Sequence, residues 1–217
     1  MSVEKPLYAK LNTAADWVIR VVLINILVII VALPVVTWYL ALSAGYQLFA
    51  DYVNKDEPGV FKGFWHHLTH HAVRKLLLGV LSTVILLLCL YNILYYNRLL
   101  EEGAGSFYLM GYYLTMALML LVAVVALHSM AVLRVYPDVK WSLFIKLSLV
   151  VAGKHMPVSL LLIPLYALPY VMMLLPVTAV IAVFAGISVP LLLHVLITRK
   201  SVLYLENLGG RDDQTRD

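Results

Sequence analysis

The best-equipped stretch for chemistry in this 217-residue chain is His66-His67-Leu68-Thr69-His70-His71. Four imidazoles in six positions make two i, i+4 pairs, His66 with His70 and His67 with His71. On a continuous helix the members of each pair face the same way. Imidazoles so placed can chelate zinc, nickel or copper. A catalytic zinc site also needs a third protein ligand and groups behind the ligands that orient them. His155 would serve only if the two polar loops pack together. The simpler expectation is that the four histidines form the solvated, headgroup-facing side of an interfacial helix, and no cofactor is expected.

Few other residues could act within the apolar part of the chain. Asn25, Thr37, Asn92, His128 and His194 are polar groups inside or at the ends of apolar runs, where each must find a partner. All twelve Asp and Glu lie outside those runs. Paired-carboxylate hydrolysis at membrane depth is thereby excluded, and the prior for an ion-coupled transporter falls. No Gly-rich phosphate loop is present. Ser43, Ser82 and Ser159 have no evident base in sequence, so no catalytic residue is expected. Cys89 stands alone in an apolar run, so no intrachain disulfide forms and the thiol reads as a small buried hydrophobe.

The elements that must hold these residues are set by composition. Hydrophobic residues make up 63% of the chain and charged residues 13%, against about 25% charged in a soluble domain. Most of the chain must therefore be solvated by lipid. The net charge of +4 is spread over loops rather than interleaved with aromatics, which argues for a membrane face and against nucleic acid.

Val21–Ala50 carries no charge and exceeds the ~7–15 apolar residues of a signal peptide. It predicts a first span over 21–46, bent at Pro34. Further spans are predicted at 76–96, 107–133, 156–174 and 176–198, the last beginning at Pro176 after a turn near Leu174 and Leu175. The second is 21 residues, or about 31 Å of helix, against a bilayer core of ~30 Å. Tyrosines at the facing ends of the second and third spans suit the membrane–water interface.

Between spans lie two amphipathic stretches, 57–75 and 138–154. The first sets Val60, Phe61, Phe64, Trp65, Leu68, Ala72 and Val73 on one face, with Asp56 as the expected N-cap. An offset of 80 residues places Phe61 on Trp141 and Phe64 on Phe144, which suggests an internal duplication. Phe61, Phe64, Trp65, Trp141 and Phe144 are the candidate docking residues for a partner or for lipid. Asp16 and Arg20 stand one turn apart and suit a pair, and the tail 206–217 reads as flexible.

The expected fold is an all-α polytopic membrane helix bundle of about five spans and two amphipathic helices, one membrane-embedded domain over 1–217. Five spans put Lys5, Lys10, Arg20 and Arg98 on one side and the other twelve Lys and Arg on the opposite side. The positive-inside bias then makes the amphipathic loops and C-terminus cytoplasmic and the N-terminus extracytoplasmic.

Asn25-Ile26-Leu27 followed by Ala32-Leu33-Pro34-Val35-Val36-Thr37 resembles the signature of the YesL family, small bacterial membrane proteins built on a domain of unknown function. Phe61-Lys62-Gly63-Phe64-Trp65 before a long span is similar to that family's next feature. The resemblance extends over about 7–205 and departs at Trp38-Tyr39 and at the histidine run. It implies a plasma-membrane location and a link to carbohydrate uptake, and it carries no catalytic residue. The function expected is that of a non-enzymatic accessory component, with a sugar permease or regulatory membrane protein as partner besides the bilayer and other copies of the chain. The alternatives are a small-solute transporter or facilitator, favoured by the duplicated pattern, and a metal-binding membrane protein.

Overall fold

The computed structural model describes residues 4–103 and 105–214, with side chains over 12–208 apart from 104. These residues form α1 (Glu4–Ala32), a 3-10 turn (Val35–Thr37), α2 (Trp38–Val53), α3 (Val60–Thr69), α4 (Ala72–Glu101), α5 (Ser106–Val135), α6 (Trp141–Lys154), α7 (Met156–Met172), α8 (Pro176–Ala185) and α9 (Ser188–Gln214), with no strand among the described residues. Four stretches are long and apolar enough to cross a membrane: Asn12–Ala32, Ala72–Glu101, Ser106–Val135 and Ser188–Leu208. α6 and α7 meet the same measure only as a pair, and they are bent by 96° where they join. The protein is an all-α polytopic membrane protein. The chain divides into two compact units, Met1–Ala72 with Leu165–Leu196, and Val73–Pro164 with Ile197–Asp217.

In the first unit the expected bent span 21–46 is instead a hairpin. Pro34 has no amide hydrogen and its ring collides with the carbonyl one turn back, so α1 stops at Ala32. α2 then runs back along α1. Trp17 packs edge-on against Tyr52 at 6.3 Å, and a Cβ on Gly45 would approach Val28 to 3.0 Å. Arg20 pairs not with Asp16 but with Glu57, at 3.4 Å, and lies over the Tyr52 ring. The N-terminal half of α1 therefore shares an end of the unit with the loop that follows α2.

α3 packs on α2 through Gly63, where a Cβ would stand 2.7 Å from Leu48 Cδ1. It begins at Val60 with Gly59, not Asp56, as N-cap. It also ends sooner than the periodicity predicts. His70 is extended and His71 takes a left-handed φ of 54°, so 57–75 is not one helix running into the next. The predicted apolar face splits: Phe64 and Leu68 are buried, whereas Phe61 and Trp65 are each 64% exposed.

In the second unit α4 and α5 are antiparallel neighbours by connectivity, with the Tyr96 ring against Gly111. α6 packs on α5. Arg74 ties the start of α4 to the α5–α6 loop, donating to the carbonyls of Pro137 and Val139. Its guanidinium also sits over the rings of Trp141 and Phe144, at 5.2 and 4.6 Å. Phe144 is 1% exposed, as Phe64 is, so this one pair related by the 80-residue offset lies in the core, whereas Phe61 and Trp141 are exposed. α8 starts at Pro176 as expected, but the predicted span 176–198 breaks at Gly186 and resumes as α9. α9 continues in helical form to Gln214, where a flexible tail from 206 is expected; residues 215–217 lie outside the described residues.

Candidate functional site

Buried polar side chains concentrate where the backbone is broken. Asn25, on α1, is fully buried. Its Oδ1 accepts the amides of Ile187 and Ser188 at 2.9 and 3.0 Å, and its Nδ2 donates to the carbonyl of Val183 at 2.6 Å. Those backbone groups are freed by the break between α8 and α9. In hydrocarbon no water can satisfy them, and each would cost several kcal/mol if left alone. One amide side chain, with two lone pairs and two hydrogens, supplies both acceptor and donor.

The two turns of this unit are capped alike. Thr37 donates to Val31 at 2.5 Å and to Pro34 at 2.8 Å. Thr178 donates to Met172 at 2.6 Å and to Leu175 at 3.1 Å. Both threonines serve carbonyls six and three residues back. The sequence carries the signal: Leu33-Pro34-Val35-Val36-Thr37 and Leu175-Pro176-Val177-Thr178 share a motif, and only the first was singled out above.

Deeper in the unit, Tyr166 Oη and His194 Nδ1 share a hydrogen bond of 2.9 Å. His194 is fully buried, with the Tyr46 ring 4.8 Å from its own. Tyr166 is thus a partner for His194, a polar group of an apolar run. Tyr166 also forms part of the wall of a cavity of about 280 Å³, together with Trp38, Leu42, Val28, Tyr170 and Ile187. The cavity lies beside the clasped break, because Ile187 is one of the amides that Asn25 holds. Its wall is aromatic and aliphatic with phenol groups at one side. That is the usual chemistry of a small-ligand pocket, and the volume falls just below the ~300–1,000 Å³ of drug-sized sites.

The second unit holds a Ser–His pair that sequence spacing does not reveal. His128 Nε2 lies 2.8 Å from Ser159 Oγ, and Ser159 donates to the carbonyl of Ala152 at 2.9 Å. Both residues are buried. The serine has one hydrogen, and the Ala152 carbonyl is freed by the bend at His155. The arrangement that satisfies most groups has His128 Nε2–H donating to Ser159 and Ser159 donating to Ala152. A nucleophile needs the reverse polarity, with the imidazole accepting the hydroxyl proton. In that arrangement the pair holds the bend rather than activating the serine.

Of the two i, i+4 histidine pairs, one meets and one does not. Because α3 ends at Thr69, His67 and His71 are not on one continuous helix. His67 Nε2 is 2.5 Å from Asp51 Oδ2 instead. His66 and His70 stack at 5.6 Å, and His70 meets His71 edge-on at 4.0 Å. Among the described residues no three His, Cys, Asp or Glu side chains converge to hold a metal ion. Of the docking residues, Phe64 and Phe144 are in the core and Trp141 is 41% exposed under Arg74, which leaves Phe61 and Trp65 as the accessible pair. Asn92 is exposed on α4 and joins none of these clusters. Cys89 is buried, as a small hydrophobe would be.

Residues 21–93 match the model of a family described as "Protein of unknown function, DUF624". Over that segment the chain is similar to the DUF624 family. The match agrees with the YesL resemblance and covers about a third of the 217 residues. No curated protein and no solved structure matches the chain. The DUF624 segment contains Asn25, Thr37, Trp38 and all of α2 and α3. The residues that Asn25 clasps, and His194, lie beyond it.

Proposed function

We propose that this protein is a solute-binding component of an uptake system in the bacterial plasma membrane, with the cavity beside Asn25 as its binding site. The observation that carries the proposal is the cavity's position at a broken helix. Membrane transport proteins commonly bind solutes where spanning helices are interrupted, because irregular backbone is tolerated at depth only where it is enclosed by protein or lines a cavity. The aromatic wall suits a solute with an apolar ring face and few polar groups. Carbohydrates present C–H faces of this kind, and they are the class that the YesL resemblance implies.

Topology supports the same role. The α1–α2 hairpin would return the chain to its starting side. The proposed orientation then puts both termini and both polar loops in the cytoplasm, leaving Arg98 as the one Lys or Arg outside. The loop-charge bias grows from twelve of sixteen to fifteen of sixteen; Lys5, Lys10, Arg211 and Arg216 in this count lie outside the residues with described side chains. The test is a binding panel of mono- and oligosaccharides on the purified protein in nanodiscs. At least one saturable ligand is expected, weakened by Tyr166→Ala; no saturable binding across the panel would end the proposal.

Exposed Phe61 and Trp65, one turn apart on α3, favour a second reading in which the protein docks a permease. Co-purification of a specific permease that Phe61→Asp with Trp65→Asp abolishes would support it, and unchanged recovery would dismiss it.

A further inference from the structure

α5 and the α6–α7 bend flank an open groove of about 300 Å³ that lies wholly within the second unit. Leu120 and Val124 form one wall, Leu149 and Gly153 another, and Ser159 and Ile163 the floor. Ser159 is the polar side chain of the six, and its oxygen is engaged by His128 and by the Ala152 carbonyl. Nothing in the floor calls for a polar ligand. Leu120 and Val124 stand mid-way along the 30-residue apolar helix α5, which in a membrane is the depth of the acyl chains. The wall is open at Gly153, where a Cβ would meet nothing within 4 Å.

α6 adds a charge at one end. Lys146 precedes Leu149 by three residues, so it stands on the same stripe one turn away. It is exposed, and it forms no ion pair among the described residues. An apolar slot at acyl-chain depth, with a free cation one helical turn along its wall, matches one kind of molecule present throughout a membrane. We propose that this groove is a binding site for an anionic glycerophospholipid, one acyl chain lying between α5 and the α6–α7 bend and the phosphate held near Lys146. The bend would thereby be filled by lipid rather than left as a void beside the His128–Ser159 pair. Anionic headgroups attract basic residues at the cytoplasmic leaflet, and the long Lys side chain can reach the headgroup while its stem covers apolar surface.

The proposal is tested with phosphatidylglycerol carrying a diazirine in its acyl chain, cross-linked to the protein in liposomes and mapped by peptide mass spectrometry. Cross-links should concentrate on 117–124 and 149–163. Gly153→Phe should reduce them about fivefold or more by filling the slot, while Gly153→Ala should preserve them. Lys146→Gln should weaken labelling by phosphatidylglycerol and leave labelling by the equivalent phosphatidylcholine unchanged. Equal labelling of the exposed apolar face of α4, or labelling indifferent to a folded Gly153→Phe protein, would overturn the site. Should Gly153→Phe not fold, Leu120→Trp fills the same slot from α5 and is judged by the same criterion.

Discussion

Asn25 shows how much one side chain can do in lipid. It satisfies two amides and a carbonyl released by the interruption at Gly186. Asn25→Leu keeps the volume and strands all three. With ~1–3 kcal/mol for each buried group left without a partner, the variant should unfold at a clearly lower temperature in detergent, by several degrees or more, as read by thermal scanning. An unshifted transition would mean that the break satisfies itself. That Asn25, Thr37, His128 and His194 need partners is legible from their place in apolar runs. Which partners they take is not: Val183 is 158 positions from Asn25, and helical spacing reports a face, not a distant neighbour. The Ser159–His128 pair gives a second prediction at this scale. Ser159→Ala should destabilise the fold because the Ala152 carbonyl loses its donor. Wild-type Ser159 should resist labelling by a fluorophosphonate probe, and stoichiometric labelling would instead make it a nucleophile.

At the scale of elements, the apolar period identifies α3 correctly and misjudges its use. Val60, Phe61, Phe64, Trp65 and Leu68 all fit a helical stripe, yet α2 is covered only by the part centred on Gly63, Phe64 and Leu68. A stripe wider than its contact leaves its edge outside, and Phe61 and Trp65 are that edge. Phe64→Ala should therefore cost ~3–5 kcal/mol as a buried aromatic, whereas Phe61→Ala should change stability little. Denaturation of both variants in mild detergent separates the two effects, and equal losses would contradict the packing. Pro34 teaches a related lesson. A proline inside a long apolar run is compatible with a kinked span or with a reversal. Here the reversal is decided by Gly45, which lets α2 approach α1, and by Tyr52, which receives Trp17 and Arg20. None of those contacts is visible in the run itself, while the cap at Thr37 and the matching motif at Thr178 are.

For the whole molecule, the proposed orientation moves the N-terminus to the side of the polar loops. Single cysteines on a Cys89→Ser background, placed at residues 12, 102 and 138, should divide two to one. Positions 12 and 138 should be protected from an impermeant maleimide in intact cells, and position 102 should react. Reaction at 12 but not at 138 would restore the five-span arrangement. Composition alone settles that the chain lives in lipid, because 63% hydrophobic residues cannot be hidden in 217 positions. The cavity beside Asn25 is beyond the reach of sequence, because it is assembled from α1, α2, α7 and the break after α8. The most direct measurement of the central proposal is hydrogen–deuterium exchange of the intact protein in nanodiscs, with and without the best ligand of the carbohydrate panel. Protection confined to 28–42 and 166–190, with exchange in 117–163 unchanged, is the predicted result. Protection elsewhere, or none at saturating ligand, would contradict it.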